Sequence, residues 1–325
     1  MNNLSAADNL AAPQSHHADV NGIRLHYIEL GEGPAVIFCH GFPETWRSWC
    51  HQISALAMAG YRAIALDMRG HGGSDCPDDL ADYSVIHTVG DVIGLMDVLQ
   101  IPKAVIVGHD AGTTTAYNAA LMRPDRFYGV MALSIPFMPR PQRNMMNAMI
   151  AAAPPGFYMR YFQSPAAPEK ELDADPRETL RRIYFHNSGD NPAGPSGMET
   201  DASGHLLPSL ATPDGEMTFL PDDELDQAAN DYRRTGFRGG LNGYRVFDLN
   251  WKLTAPWSDM ALTVPATFIG GDRDIVMHFP GFRQAAEAMP QAEFVKTAGH
   301  WIQKEAPAAV NAHLLRFLRQ VLPAG

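Results

Sequence analysis

After a polar N-terminal arm, GIRLHYIEL (22–30) alternates apolar and polar positions, as a strand with one exposed face does. AVIFC (35–39) and AIAL (63–66) are instead continuous apolar runs bounded by glycine or charged residues. That is the pattern of strands buried on both faces. Between them, a stretch starting near Glu44 carries Trp46, Trp49, Ile53 and Leu56 at amphipathic helical spacing. VIHTVGDVIGLMDVL (85–99) has the same period, and AVIVG (104–108) reads as the next buried strand. A helix follows it, then another apolar stretch, YGVMALSI (128–135). Strands alternating with helices imply βαβ units and a mainly parallel sheet.

The rhythm stops near Pro136. As far as Trp251, the helical patches FYMRYF, RETLRRIYF and DDELDQAANDYRR alternate with loops, and 188–216 reads as a long irregular connection. The α/β pattern resumes with VPATFIG (264–270), a helix near 281–289, AEFVK (292–296) and a final helix at about 304–321. The chain therefore predicts an α/β core, 1–135 and 252–325, split by a helical insertion at 136–251.

Composition narrows the partners. With 46% hydrophobic and 19% charged residues in 325, the chain is an ordinary globular one. A net charge of −11 argues against nucleic acid or an anionic membrane surface as partner. No apolar run is long enough to span a membrane, and the first residues lack a signal-peptide pattern. Cys39, Cys50 and Cys76 form no C-x-x-C motif, which favours a reducing compartment and offers no zinc site. The expectation is a cytoplasmic protein without metal or cofactor; a homodimer is left open.

The chemistry centres on GHDAG (108–112), which fits small-x-nucleophile-x-small at a sharp strand-to-helix turn. The helix N-terminus behind Asp110 favours an ionised carboxylate. An aspartate before a helix also serves as a plain cap, so its company decides. FIGGDRDIV supplies Asp272 and Asp274 after one strand, and TAGHW supplies His300 after the last. Both follow the carboxyl ends of strands, where the sites of open α/β sheets collect. Nucleophile, acid, histidine is one of the known triad orders. CHGFPETW places Gly41 and Phe42 after AVIFC, so the backbone N–H groups of Phe42 and Ala111 are the candidate oxyanion donors. DMRGHGGSD (67–75) lacks the lysine and spacing of a phosphate loop and is read as structural.

Taken together, HGFPETW, DMRGHGGSD, GHDAG and GHW resemble the α/β-hydrolase fold, and specifically its soluble epoxide hydrolases, from about residue 18 onward. The resemblance implies a helical cap inserted in the core and a cis bond at Phe42–Pro43. It selects Asp274 over Asp272 as the acid. PGFYMRYFQSP and GFRGGLNGYR resemble the two cap segments whose tyrosines activate the epoxide, which implies that role for Tyr158 and Tyr244; Tyr161 is left as packing. Trp46, Gly243 and Trp301 complete the residues expected to touch substrate.

A carboxylate suits this chemistry because it is already ionised near neutral pH and displaces a leaving group from saturated carbon. The implied reaction adds water to an epoxide through an ester on Asp110, giving a vicinal diol. Two rivals differ in identifiable residues. Haloalkane dehalogenases usually carry tryptophan after the nucleophile, and fluoroacetate dehalogenases carry arginines there; this chain has Ala111 and then GTTT. A catalytically idle ligand-binding protein of the same fold has no need of all five side chains. Many epoxide hydrolases also carry rings where Ala111 and Gly243 stand, so tolerance of bulky or disubstituted epoxides is expected, unless NMMNAMI (144–150) refills the space.

Overall fold

A computed structural model of the chain describes residues 12–194 and 196–322. The stretch read for a signal peptide lies largely outside these described residues. Eight strands form one sheet: β1 (Gln14–Val20), β2 (Ile23–Leu30), β3 (Ala35–Cys39), β4 (Arg62–Leu66), β5 (Ala104–His109), β6 (Phe127–Leu133), β7 (Ala266–Gly271) and β8 (Glu293–Val295). Their order is β1-β2-β4-β3-β5-β6-β7-β8. The pairs β1–β2 and β2–β4 are antiparallel, and the other five are parallel.

The seven strands read from the sequence are present. β1 corrects the expected polar arm: in this edge strand, QSHHADV, only Ala18 and Val20 are buried, because they alone point into the apolar cluster under the helix Val85–Val98. In the centre of the sheet, alternation sorts side chains between two layers. Ile37, Cys39 and Ile106 pack beneath the helices Val85–Val98 and Ala111–Met122. Val36, Phe38, Val105 and Val107 pack on the opposite face against Cys50–Met58 and Pro307–Val321. Full burial of each such large apolar side chain stabilises the fold by about 1.5–3 kcal/mol.

Among the described residues, the chain between β6 and β7 is helical without a named strand. Its helices share a third apolar cluster that includes Leu180, Leu225, Tyr232, Phe237 and Leu241. The last of them, Phe247–Leu253, runs past the expected boundary at 251. Among its described residues, the 188–216 connection holds no helix or strand beyond the short turn Leu207–Ser209, yet Leu206 and Leu210 are buried in that cluster. Its backbone also pins the Tyr158 segment: Tyr158 N donates to Met198 O at 3.0 Å, and Thr200 N to Gly156 O at 2.8 Å.

The strand order creates a crevice. The chain steps from β3 to β4 in one direction, then crosses back so that β5 lies on the other side of β3. At such a switch point the loops leaving the two strands diverge and open a site at their carboxyl ends. Phe42 leaves β3 there, and Asp110 leaves β5. Among the described residues, no helix is long and apolar enough to cross a membrane.

Candidate active site

Asp110 joins β5 to the helix Ala111–Met122 with φ 47° and ψ −124°, a conformation rarely adopted by a residue with a side chain. Such strain costs about 1–3 kcal/mol and persists only where the surroundings over-determine it. Here Thr113 does so twice, its N–H (3.0 Å) and its hydroxyl (2.6 Å) both donating to Asp110 O. The helix also lies very close to β3: a Cβ on Gly112 would stand 2.2 Å from Cys39 O.

One carboxylate oxygen of Asp110, Oδ2, accepts the Phe42 N–H at 3.0 Å. The loop comes this near because Gly41 has no side chain; a Cβ there would lie 2.6 Å from that oxygen. Ala111, the first residue of the helix, has an N–H without an intrahelical acceptor. The Phe42–Pro43 bond is cis. The other oxygen, Oδ1, stands 4.0 Å from His300 Nε2.

His300 Nδ1 faces Asp274 Oδ1 and Ser134 Oγ, each at 3.0 Å. Burial alone lowers the imidazole pKa. The Asp274 charge and its hydrogen bond, then the charges of Asp110 and Glu44, outweigh burial and raise it to about 9. Burial likewise raises the Asp274 carboxyl, but His300 more than reverses this and holds it below its usual value. Asp272 is exposed and accepts Thr297 N at 2.7 Å, so it takes no part in this cluster.

Above Asp110 lies a cavity of about 380 Å³ with a mainly apolar lining. Tyr158 and Tyr244 both line it, their rings 6.1 Å apart and nearly perpendicular. Burial, and next the Asp110 charge, push both hydroxyls well above the ordinary tyrosine pKa. They therefore stay protonated and available as donors. Tyr161 instead donates to Glu171 Oε2 at 2.6 Å.

A family model described as the alpha/beta hydrolase fold matches residues 34–176. Epoxide hydrolase A of Mycobacterium tuberculosis is 40% identical over 317 residues, covering 95% of this chain and 98% of that protein. An epoxide hydrolase of Caballeronia sordidicola is 42% identical over 307 residues, covering 93% and 92%. The chain is a member of the epoxide hydrolase family. In structure, epoxide hydrolase A of Mycobacterium thermoresistibile superposes with a TM-score of 0.87 at 38% identity, covering 95% of this chain and 98% of that one.

Two residues expected to touch substrate do not line the cavity. Trp46 lies beneath the Arg47 guanidinium, 4.9 Å from ring centre to Cζ, and packs toward the opposite face of the sheet. Its turn is held there by Asp67, which accepts Trp46 N at 2.8 Å. Trp301 is buried behind His300, with ring centres 4.6 Å apart and its indole N–H on Tyr184 O at 2.8 Å. Gly243, by contrast, lines the cavity, and a Cβ there would meet nothing within 4 Å. Ala111 and Met146, from the methionine-rich run, line it as well.

Several polar residues of the site went unflagged in the sequence. Glu44 accepts Gly41 N at 2.8 Å and bonds His109 Nδ1 at 2.6 Å, while Gln303 donates to its other oxygen at 2.6 Å. Burial raises this carboxyl, but His109 and further hydrogen bonds outweigh it and bring it down to about 2. His109 Nε2 bonds His300 O at 2.8 Å. Ser134 follows β6, so the strand-end rule that points to the Asp272–Asp274 turn and to His300 could also have found it.

Proposed function

We propose that this chain hydrolyses epoxides to vicinal diols through a covalent ester on Asp110, carried out between a core (1–135 and 252–325) and a cap (136–251). The observation that carries the reading is one carboxylate facing three partners: the Phe42 amide, the His300 imidazole, and a cavity lined by two protonated tyrosines.

Asp110 Oδ1, the oxygen not engaged by Phe42, attacks a ring carbon. The carbon–oxygen bond breaks, and the departing oxygen takes a proton from Tyr158 or Tyr244. General-acid help of this kind is typically worth ~10²–10⁴ in rate. Esterification cancels the Asp110 charge, one of the causes that hold the proton on His300. The imidazole then releases its proton, which restores the tyrosine, and becomes the base when the ester needs one.

Water gives a proton to His300 Nε2 and adds to the ester carbon. Charge collects on Oδ2, between the Phe42 and Ala111 amides, each worth on the order of 3 kcal/mol. Collapse expels the diol oxygen, which takes the proton from His300. The carboxylic acid left on Asp110 returns its proton to the imidazole, and the resting state is restored. Asp274 holds the imidazole in the required orientation throughout, as the third member of such triads does.

The open space at Ala111 and Gly243 supports substrates with a bulky or second substituent at the reacting carbon. A panel of terminal and disubstituted epoxides, assayed for diol with Asp110→Asn as control, tests the reading. Diol from the native chain alone supports it; no diol from any epoxide, or halide release from haloalkanes or haloacetates instead, overturns it.

A further inference from the structure

Glu305, five residues beyond His300, grips the backbone on both sides of that histidine. Gly299 N donates to Glu305 Oε2 at 2.7 Å, and Trp301 N to Oε1 at 3.0 Å. Oε2 also accepts Gly189 N at 2.7 Å, while His300 N donates to Asn187 O at 2.9 Å. Asn187 and Gly189 lie in the insertion, directly after the helix Pro176–His186. One carboxylate thus fixes the histidine loop at two points and fastens it to the insertion at a third.

The approach is backbone against backbone. A Cβ on Gly299 would lie 2.4 Å from Gly189 N, and one on Gly189 would lie 1.9 Å from Thr297 O. The same insertion loop is tied to the acid's side of the site: the Arg273 guanidinium, next to Asp274, donates to Gly189 O at 2.5 Å and to Asn191 O at 2.6 Å. Glu305 touches neither Asp110 nor the tyrosines. All its contacts bear on where His300 sits.

We propose that Glu305 is a positioning residue for the hydrolytic half of the reaction, holding His300 against the ester on Asp110 and coupling that placement to the seating of the insertion. The proposal rests on the ester mechanism given above. Alkylation uses Asp110 and the tyrosines, which Glu305 does not hold. Hydrolysis needs His300 Nε2 aimed at the attacking water, and a misplacement of ~1 Å can cost about 100-fold.

Glu305→Gln keeps the size of the side chain but turns an acceptor into an amide N–H₂ facing N–H donors, so at least one of the three bonds is lost. Glu305→Asp keeps the charge and withdraws the oxygens by one methylene. Single-turnover reactions with styrene oxide, quenched and read by intact-mass spectrometry, resolve alkylation from hydrolysis. In both variants hydrolysis is expected to slow about 10- to 100-fold, with alkylation within about threefold of native and ester accumulating in the steady state. Equal slowing of both steps in folded protein, or no change in either, overturns the proposal. So does failure of both variants to fold, which makes the carboxylate a folding element. Absence of adduct in the native chain and in His300→Gln refutes the ester mechanism itself; adduct there, with an unaltered partition in the Glu305 variants, refutes only the positioning role.

Discussion

His300 should leave its mark on how stability varies with pH. Its folded-state pKa is raised to about 9 from an ordinary 6.5, because Asp274 and Asp110 outweigh the effect of burial. A proton held more tightly in the folded than in the unfolded chain stabilises the fold wherever it is bound. That contribution is complete below pH 6.5 and is lost as the pH rises through 9. At 1.36 kcal/mol per pKa unit, the displacement amounts to about 3 kcal/mol. His300→Gln removes the titration. Urea unfolding of both proteins between pH 6 and pH 9.5 gives two stability curves. Their difference is expected to shrink by up to about 3 kcal/mol across that range, less whatever the Asp274 carboxyl, whose burial His300 no longer offsets, adds to the pH dependence of the variant. Other buried histidines whose pKa is lowered, such as His40 and His71, are common to both chains and cancel in the difference. A difference that stays constant with pH would refute the charged Asp110–His300–Asp274 arrangement.

Three further outcomes follow from the same geometry. Asp274→Asn removes the acceptor 3.0 Å from His300 Nδ1 and should slow ester hydrolysis by ~10⁴, read in single-turnover reactions, with alkylation far less affected. Tyr158→Phe and Tyr244→Phe should each slow alkylation by ~10² or more while leaving the breakdown of preformed ester nearly unchanged. Ala111→Trp should cut kcat/KM for disubstituted epoxides relative to small terminal ones; an unchanged ratio would mean the space at Ala111 does not set substrate size.

Much of this architecture is legible in the sequence, for identifiable reasons. β3 and β5 are buried on both faces, so AVIFC and AVIVG stand out as unbroken apolar runs. β1 does not, because an edge strand with two inward side chains reads as a polar arm. Asp110 and His300 can be found because chain order and strand ends both point to them; the same signals offer Asp272 and Asp274 alike, and only the family resemblance separates those two. Trp46 and Trp301 mislead because adjacency in sequence to a site says nothing about the direction of a ring. The turn held by Asp67 sends Trp46 away from the cavity, and the Tyr184 carbonyl draws Trp301 behind the histidine. Glu44, His109 and Glu305 escape notice for a different reason. Each makes at least one contact to a residue distant in sequence, such as His109 with His300 and Glu305 with Gly189, and no local pattern encodes those. The 188–216 connection has no periodicity to read, yet it holds the Tyr158 segment by two backbone bonds, one at Tyr158 and one at Gly156.

The most direct test of the central claim is the intact mass of His300→Gln mixed with an epoxide the native chain converts. The mechanism predicts a gain equal to the mass of the epoxide, mapped to a peptide containing Asp110 and absent in the Asp110→Asn, His300→Gln double variant. Diol formation by the native chain with no such adduct in His300→Gln would contradict the covalent route.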